Sequence, residues 1–114
     1  MSACTVLAAC GVSVWLGPDD DPPSVSLAAA PSSAGPGERI GLVAAASDDY
    51  ALREVQFFRV DARGDTLLGI DASAPYAIET TLPTGAVGDV RYFARAVDDA
   101  GQEADSQEVV VSVR

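Results

Sequence analysis

Carboxylates are the only potentially reactive groups this chain has in quantity. Asp and Glu number 17 against 7 basic residues, a formal net charge of −10, and every basic residue is Arg; Lys, His and Asn are absent. Without His, the chain lacks the commonest general base and the commonest transition-metal ligand. What remains for metal chemistry is oxygen, and clustered carboxylates and carbonyls are what calcium takes. The acids pair at Asp48-Asp49 and Asp98-Asp99, with Asp19, Asp20, Asp21 and Asp71 as further contributors. A calcium site formed by Asp48, Asp49, Asp98 and Asp99 is one expectation, and no other cofactor is implied. The competing expectation is plainer. Asp caps its own backbone in tight turns and Gly accepts positive φ, so Asp98-Asp99-Ala100-Gly101 reads as a type I turn between two strands. No EF-hand ligand spacing is present. Paired carboxylates also hydrolyse glycosides, but that reaction needs a cleft and an acid of raised pKa. Neither a Gly-Xaa-Ser-Xaa-Gly elbow nor a P-loop nor a metal triad occurs. The chain reads as a non-enzyme, and its negative charge argues against nucleic acid as a partner.

The thiols suggest different chemistry. Both cysteines, Cys4 and Cys10, lie in the first ten residues, so no disulfide or thiolate site belongs to the rest of the chain. A Cys4–Cys10 disulfide is one use for them. The other rests on Leu7-Ala8-Ala9-Cys10, which resembles the lipobox at which bacterial lipoprotein precursors are cut and acylated. The resemblance implies removal of everything before Cys10, a diacylglycerol on its thiol, and attachment to a membrane of the cell envelope. Gly11, a non-Asp residue after the acylated position, implies the outer membrane in proteobacterial lipoproteins. Ala3 to Leu16 is nearly all small or apolar, as a signal h-region should be, and Trp15 suits a lipid–water boundary. A basic n-region is missing and only nine residues precede Cys10, so the translation start is expected upstream of Met1. The alternatives are an uncleaved hydrophobic anchor, for which this apolar run is shorter than the ~20 residues of a spanning helix, and an untargeted tail. Lipoprotein and anchor both put the remainder of the chain outside the cytoplasm.

The elements that would position the acids are strands. After Pro23 no 3.6-residue apolar period persists beyond two turns; short alternating runs between turn residues recur instead. Val25 and Leu27 mark a first strand, and Pro31 to Gly37 a loop. Further strands follow over Ile40–Ala46, about Arg53–Val60, Thr66–Ile70, Tyr76–Thr80, Tyr92–Val97 and Val109–Val113. Seven short strands at this spacing predict an all-β Greek-key sandwich. The expected organisation is a signal or anchor segment over 1–17, an acidic Pro-rich linker over 18–23, and the sandwich over 24–114. Ile40, Leu42, Val55, Phe57, Ile78, Tyr92 and Val111 are its expected large core residues, with small Ala44, Ala46, Ala94 and Ala96 letting the sheets approach.

This pattern resembles the bacterial Ig-like domains related to fibronectin type III modules. The matching residues are Pro23-Ser24-Val25-Ser26-Leu27, Ile40 through Asp49, Val55-Gln56-Phe57-Phe58, Leu67-Leu68-Gly69-Ile70-Asp71, Ser73-Ala74-Pro75-Tyr76 and Ala94 through Gly101. Three features depart from the family. Val90 stands where Tyr often opens strand F, Asp99 replaces the usual Asn, and neither a Cys pair nor a core Trp is present. The fold hosts many roles, and the role expected here is a binding or spacer module on an envelope lipoprotein, with a protein or polysaccharide partner. One alternative is a carbohydrate-binding module using an aromatic face at Phe58 and Phe93, extended by Val60 and Val97, with Tyr50 on a loop as a further candidate. Another is a calcium-stabilised structural or adhesion module. Pairing of a partner peptide with a sheet edge is also open.

Overall fold

The computed structural model describes residues 23–47 and 52–114. Cys10, Asp48 and Asp49 lie outside the described residues. So do Asp19, Asp20, Asp21 and Tyr50.

Among the described residues nine strands run in the order β1 (Ser24–Ala30), β2 (Ser33–Ala34), β3 (Arg39–Ser47), β4 (Leu52–Asp61), β5 (Gly64–Asp71), β6 (Tyr76–Thr81), β7 (Asp89–Asp98), β8 (Glu103–Asp105) and β9 (Val109–Val113). They form a three-stranded sheet, β1-β3-β6, and a six-stranded sheet, β2-β9-β7-β4-β5, in which β8 also pairs with β7. Every pairing is antiparallel except β2 with β9. The architecture is the all-β sandwich expected from the alternation.

Between the sheets, alternate residues of each strand meet. Ile40, Leu42 and Ala44 of β3 face Val55 and Phe57 of β4, Tyr92, Ala94 and Ala96 of β7, and Val111 of β9, all buried. Burying a side chain such as Phe57 contributes about 2–3 kcal/mol, and the three alanines leave room for the large neighbours. Two expectations shift. Ile78, expected in the core, is only partly buried, because β6 is an edge strand. A Cβ on Gly69 of β5 would meet its Cγ2 at 3.3 Å, so Gly69 lets the end of β5 lean over it. Leu82 and Ala34, not expected, are buried at 1% and 0% exposure.

The expected loop over Pro31 to Gly37 contains β2, and β8 precedes the last expected strand. The β4–β5 hairpin closes with only Ala62 and Arg63 between paired Asp61 and Gly64, and Gly64 takes φ 134° there. Ser106 divides β8 from β9. Its Oγ accepts the Ala94 N–H at 2.9 Å, its own N–H donates to Ala94 O at 2.8 Å, and its hydroxyl donates to Gln107 O. A side chain thus substitutes for a backbone acceptor where the last strand breaks.

Candidate functional site

Among the described residues these strands build three polar or aromatic clusters. The first is the β7–β8 turn. Asp98 is 2% exposed, and its Oδ1 accepts the N–H groups of Ala100 at 3.0 Å and Gln102 at 2.8 Å. The backbone closes the same turn through Gly101 N to Asp98 O and Asp98 N to Gln102 O, each 3.0 Å, with Gly101 at φ 87°. This is a type I turn followed by a left-handed glycine, stapled by a buried carboxylate. Asp99 is exposed, and its carbonyl accepts from Arg53 Nη2 at 3.3 Å. Asp71, at another corner, likewise caps backbone, accepting from Ser73 N and Ala77 N at 3.1 Å each. Among the described residues no three acidic, Cys or His side chains converge as a metal site would require.

The second cluster lies on the outer face of the six-stranded sheet. Register places Phe58 of β4 opposite Phe93 of β7 and beside Leu67 of β5. The two rings stack with centroids 4.9 Å apart and an interplanar angle of 10°. Phe93 is only 7% exposed although it points away from the core. The cause is Arg95, two residues along the same face, whose guanidinium carbon sits 5.0 Å from the Phe58 centroid and 5.7 Å from that of Phe93. Asp105 of β8 fixes the guanidinium through Nε at 2.7 Å and Nη2 at 3.2 Å, with Glu103 at 3.9 Å. The Asp105 hydrogen bond raises the Arg95 pKa against the opposing effect of burial. Cation–π and charge-assisted contacts together make a small second core on this face. A sugar stacks on an open aromatic face, whereas here a cation already occupies one. Arg95, Glu103 and Asp105 escape sequence reasoning. The outward run Arg91, Phe93, Arg95 on β7 was the available signal, but its acidic partners sit on a strand too short to show a period.

The third cluster closes one end of the sandwich. Arg59 holds Asp61 through Nε at 2.8 Å and Nη2 at 3.2 Å, and Thr66 Oγ1 donates to the same carboxylate. The Arg59 bond, then the Thr66 bond, hold the Asp61 carboxyl below the usual carboxylate range. Nearby Tyr92 is fully buried, and its hydroxyl has no partner among the described residues. Burial pushes its phenol above the ordinary value. With both carboxylate oxygens of Asp61 engaged by Arg59 and Thr66, the arrangement has the form of a structural ion pair.

The two mainly antiparallel sheets packed face to face define the class of the fold: an Ig-like, fibronectin III-like sandwich. The comparisons with known proteins agree with that class. The chain is similar to the fibronectin(III)-like modules of CbhA from Clostridium thermocellum, at 27% identity and a TM-score of 0.67, over 82% of this chain and 47% of that one. It is also similar to Spo0M, a sporulation control protein from Bacillus subtilis, at 13% identity and a TM-score of 0.57, over 82% and 50% of the two chains. The second likeness is one of fold alone. The chain spans about half the length of each matched structure. No protein-family model matches the chain, and no curated protein matches it.

Proposed function

We propose that this chain is a non-catalytic envelope lipoprotein whose sandwich serves as a binding or spacer module. The observation that carries the module reading is the fold and its 27% identity to fibronectin(III)-like modules. The disposition of the acids supports it: Asp71 and Asp98 cap backbone, and Asp61 and Asp105 neutralise arginines. The envelope reading is supported by the sequence Leu7-Ala8-Ala9-Cys10 and the acidic spacer that follows. In it Cys10 is an anchor and not a reactive thiol, and a membrane is the first partner.

Intact-mass and peptide mass spectrometry of the mature protein tests the anchor. The expected result is a first residue at Cys10 carrying a diacylglycerol thioether, with Met1 to Ala9 absent. An unmodified Cys10 with the preceding residues still attached would overturn it. The polysaccharide alternative would require Arg95 to leave the Phe58–Phe93 pair. A polysaccharide pull-down indifferent to Phe58→Ala counts against it.

A further inference from the structure

A bulge in β5 decides which apolar side chains this sandwich shows to solvent. Strict alternation would send Leu67 and Ile70 to opposite faces of the sheet. Instead the register with β4 shifts: Phe57 pairs with Gly69 and Phe58 with Leu67, so Leu68 is the extra residue. Leu68 packs against the core, and Gly69 follows it inward above Ile78. Leu67 and Ile70 therefore both emerge on the outer face of the six-stranded sheet, 49% and 50% exposed. Phe58 and Val60 of β4 lie beside them, and across β7 Val110 of β9 is 43% exposed. Of the exposed large apolar side chains among the described residues, only Val43 and Val87 lie elsewhere. Apolar surface gathered on one face and rimmed by polar groups marks a contact surface.

The rim is acidic. By register Glu54 of β4, Asp65 of β5, Asp89 of β7 and Glu103 and Asp105 of β8 share this face, and Glu108 joins them through Arg91 at 3.7 Å. Against these carboxylates stand Arg91 and Arg95 alone among the described residues of the face. The acids ring the apolar patch and do not gather at one point. The outer face of the three-stranded sheet is different: its charges among the described residues are Arg39 and Glu79, which pair at 3.6 Å. The exposed apolar patch thus sits on the negative face of the sandwich.

We propose that this face binds a segment of a partner protein that carries both Lys or Arg and large apolar side chains. The proposal rests on the reading of the sandwich as a binding module and names the class of partner. Arg95 displays the chemistry within the chain itself: its guanidinium carbon lies 5.0 Å from the Phe58 centroid while Asp105 accepts from its Nε at 2.7 Å. An incoming cation meets Asp65 and Asp89, which pair with no arginine among the described residues. Apolar side chains of the same segment cover Leu67 and Ile70. Neither half suffices alone, because exposed ion pairs contribute little in water, and the rim repels an anionic apolar partner. A patch of this extent falls below a standard interface, so the dissociation constant is on the order of 0.1 mM.

Titration of the isotope-labelled full chain with synthetic peptides, followed by amide chemical shifts, tests this. The probes are a peptide alternating Lys and Leu, the same peptide with Glu in place of Lys, and oligolysine. The expected result is shifts on β4, β5 and β7 with the Lys–Leu peptide, weakened several-fold between about 50 and about 300 mM salt. Both other peptides should bind about tenfold more weakly or less. Leu67→Ser and Ile70→Ser should each weaken binding about fivefold, and Val43→Ser, on the outer face of the other sheet, should leave it unchanged. The peptide series needs no variant, so it stands even where a substitution disturbs β5. Oligolysine that binds as tightly, a Leu67→Ser chain that binds as well, or shifts confined to β1 and β3 overturn the proposal. So does silence at millimolar peptide. A neutral polysaccharide that then moves the same amides would keep the binding-module reading with another ligand class, whereas silence with both probes would leave the spacer role.

Discussion

Replacing Asp98 separates a turn cap from a calcium ligand, because the two roles need different things from the same carboxylate. As a cap, Oδ1 is the acceptor for two N–H groups, at 3.0 and 2.8 Å, in a side chain 2% exposed. Hydrogen bonds to a charged acceptor contribute about 1.5–3 kcal/mol each. Ala100 is exposed and Gln102 half-buried, so water recovers part of the loss. Asp98→Ala is therefore expected to cost about 2–4 kcal/mol, a fall in melting temperature of roughly 10–25 °C for a domain of this size. Asp98→Asn keeps the acceptor oxygen, loses the charge, and should cost about 1 kcal/mol. As a calcium ligand, the carboxylate would instead make stability depend on the ion. The assay is urea denaturation of wild type and both variants, with and without millimolar calcium. Capping predicts the order wild type, Asn, Ala in both conditions, with no calcium effect. An Asp98→Ala chain within about 0.5 kcal/mol of wild type would refute the capping argument. A calcium-induced rise in the wild type that disappears in both variants would support the metal reading.

Two further outcomes follow from the inner cluster. The folded-state pKa of Asp61 is depressed by Arg59 and Thr66, so its contribution is complete above the unfolded value and is lost as pH falls through the folded one. Asp61→Asn should therefore lower stability slightly at pH 7, where the contribution is complete, and flatten the acid limb so that the two curves converge as pH falls below about 4; a limb unchanged by the substitution would show that the pair does not matter. Tyr92 has the opposite sign: a folded-state pKa raised by burial keeps its contribution below about pH 10 and removes it as pH rises further. Tyr92→Phe, which deletes a hydroxyl without a partner, should be neutral or stabilise by up to about 1 kcal/mol in thermal denaturation, and a loss of more than that would mean the hydroxyl is bonded.

The strands that could be read from the sequence are those long enough to repeat a two-residue period. Ile40-Gly41-Leu42-Val43-Ala44 shows its buried face by alternation alone, and so does Tyr92 to Val97. Ser33-Ala34 has no period at all. It becomes a strand only because Ser112 and Val113 of β9 lie alongside it, a pairing more than seventy residues away that no local pattern encodes. Glu103-Ala104-Asp105 fails for the same reason. Leu82 sits just past the end of β6, where Gly37 N donates to Leu82 O and Leu82 N donates to Glu38 O, so tertiary contact fills a core position that lacks a strand's period. The turn at Asp98 was legible because its chemistry is local. The arginine over the two phenylalanines was not, because it requires knowing that β8, β7 and β4 are neighbours.

The same distinction explains why so acidic a chain does not assemble an acidic site among its described residues. Each arginine that has a carboxylate within reach takes it across or along strands: Arg39 with Glu79, Arg59 with Asp61, Arg91 with Glu108, Arg95 with Asp105, and Arg114 with Glu38. Exposed pairs of this kind add little stability individually, but they disperse the negative charge and set it around particular edges. Glu79, Asp65, Asp71, Glu103 and Asp105 all guard edges or corners. Ser24 to Ala30 is left bare between two prolines, Pro23 and Pro31, that bound its length. The negative charge of the described residues is thus spread over turns, corners and ion pairs on several strands, and does not converge on one site.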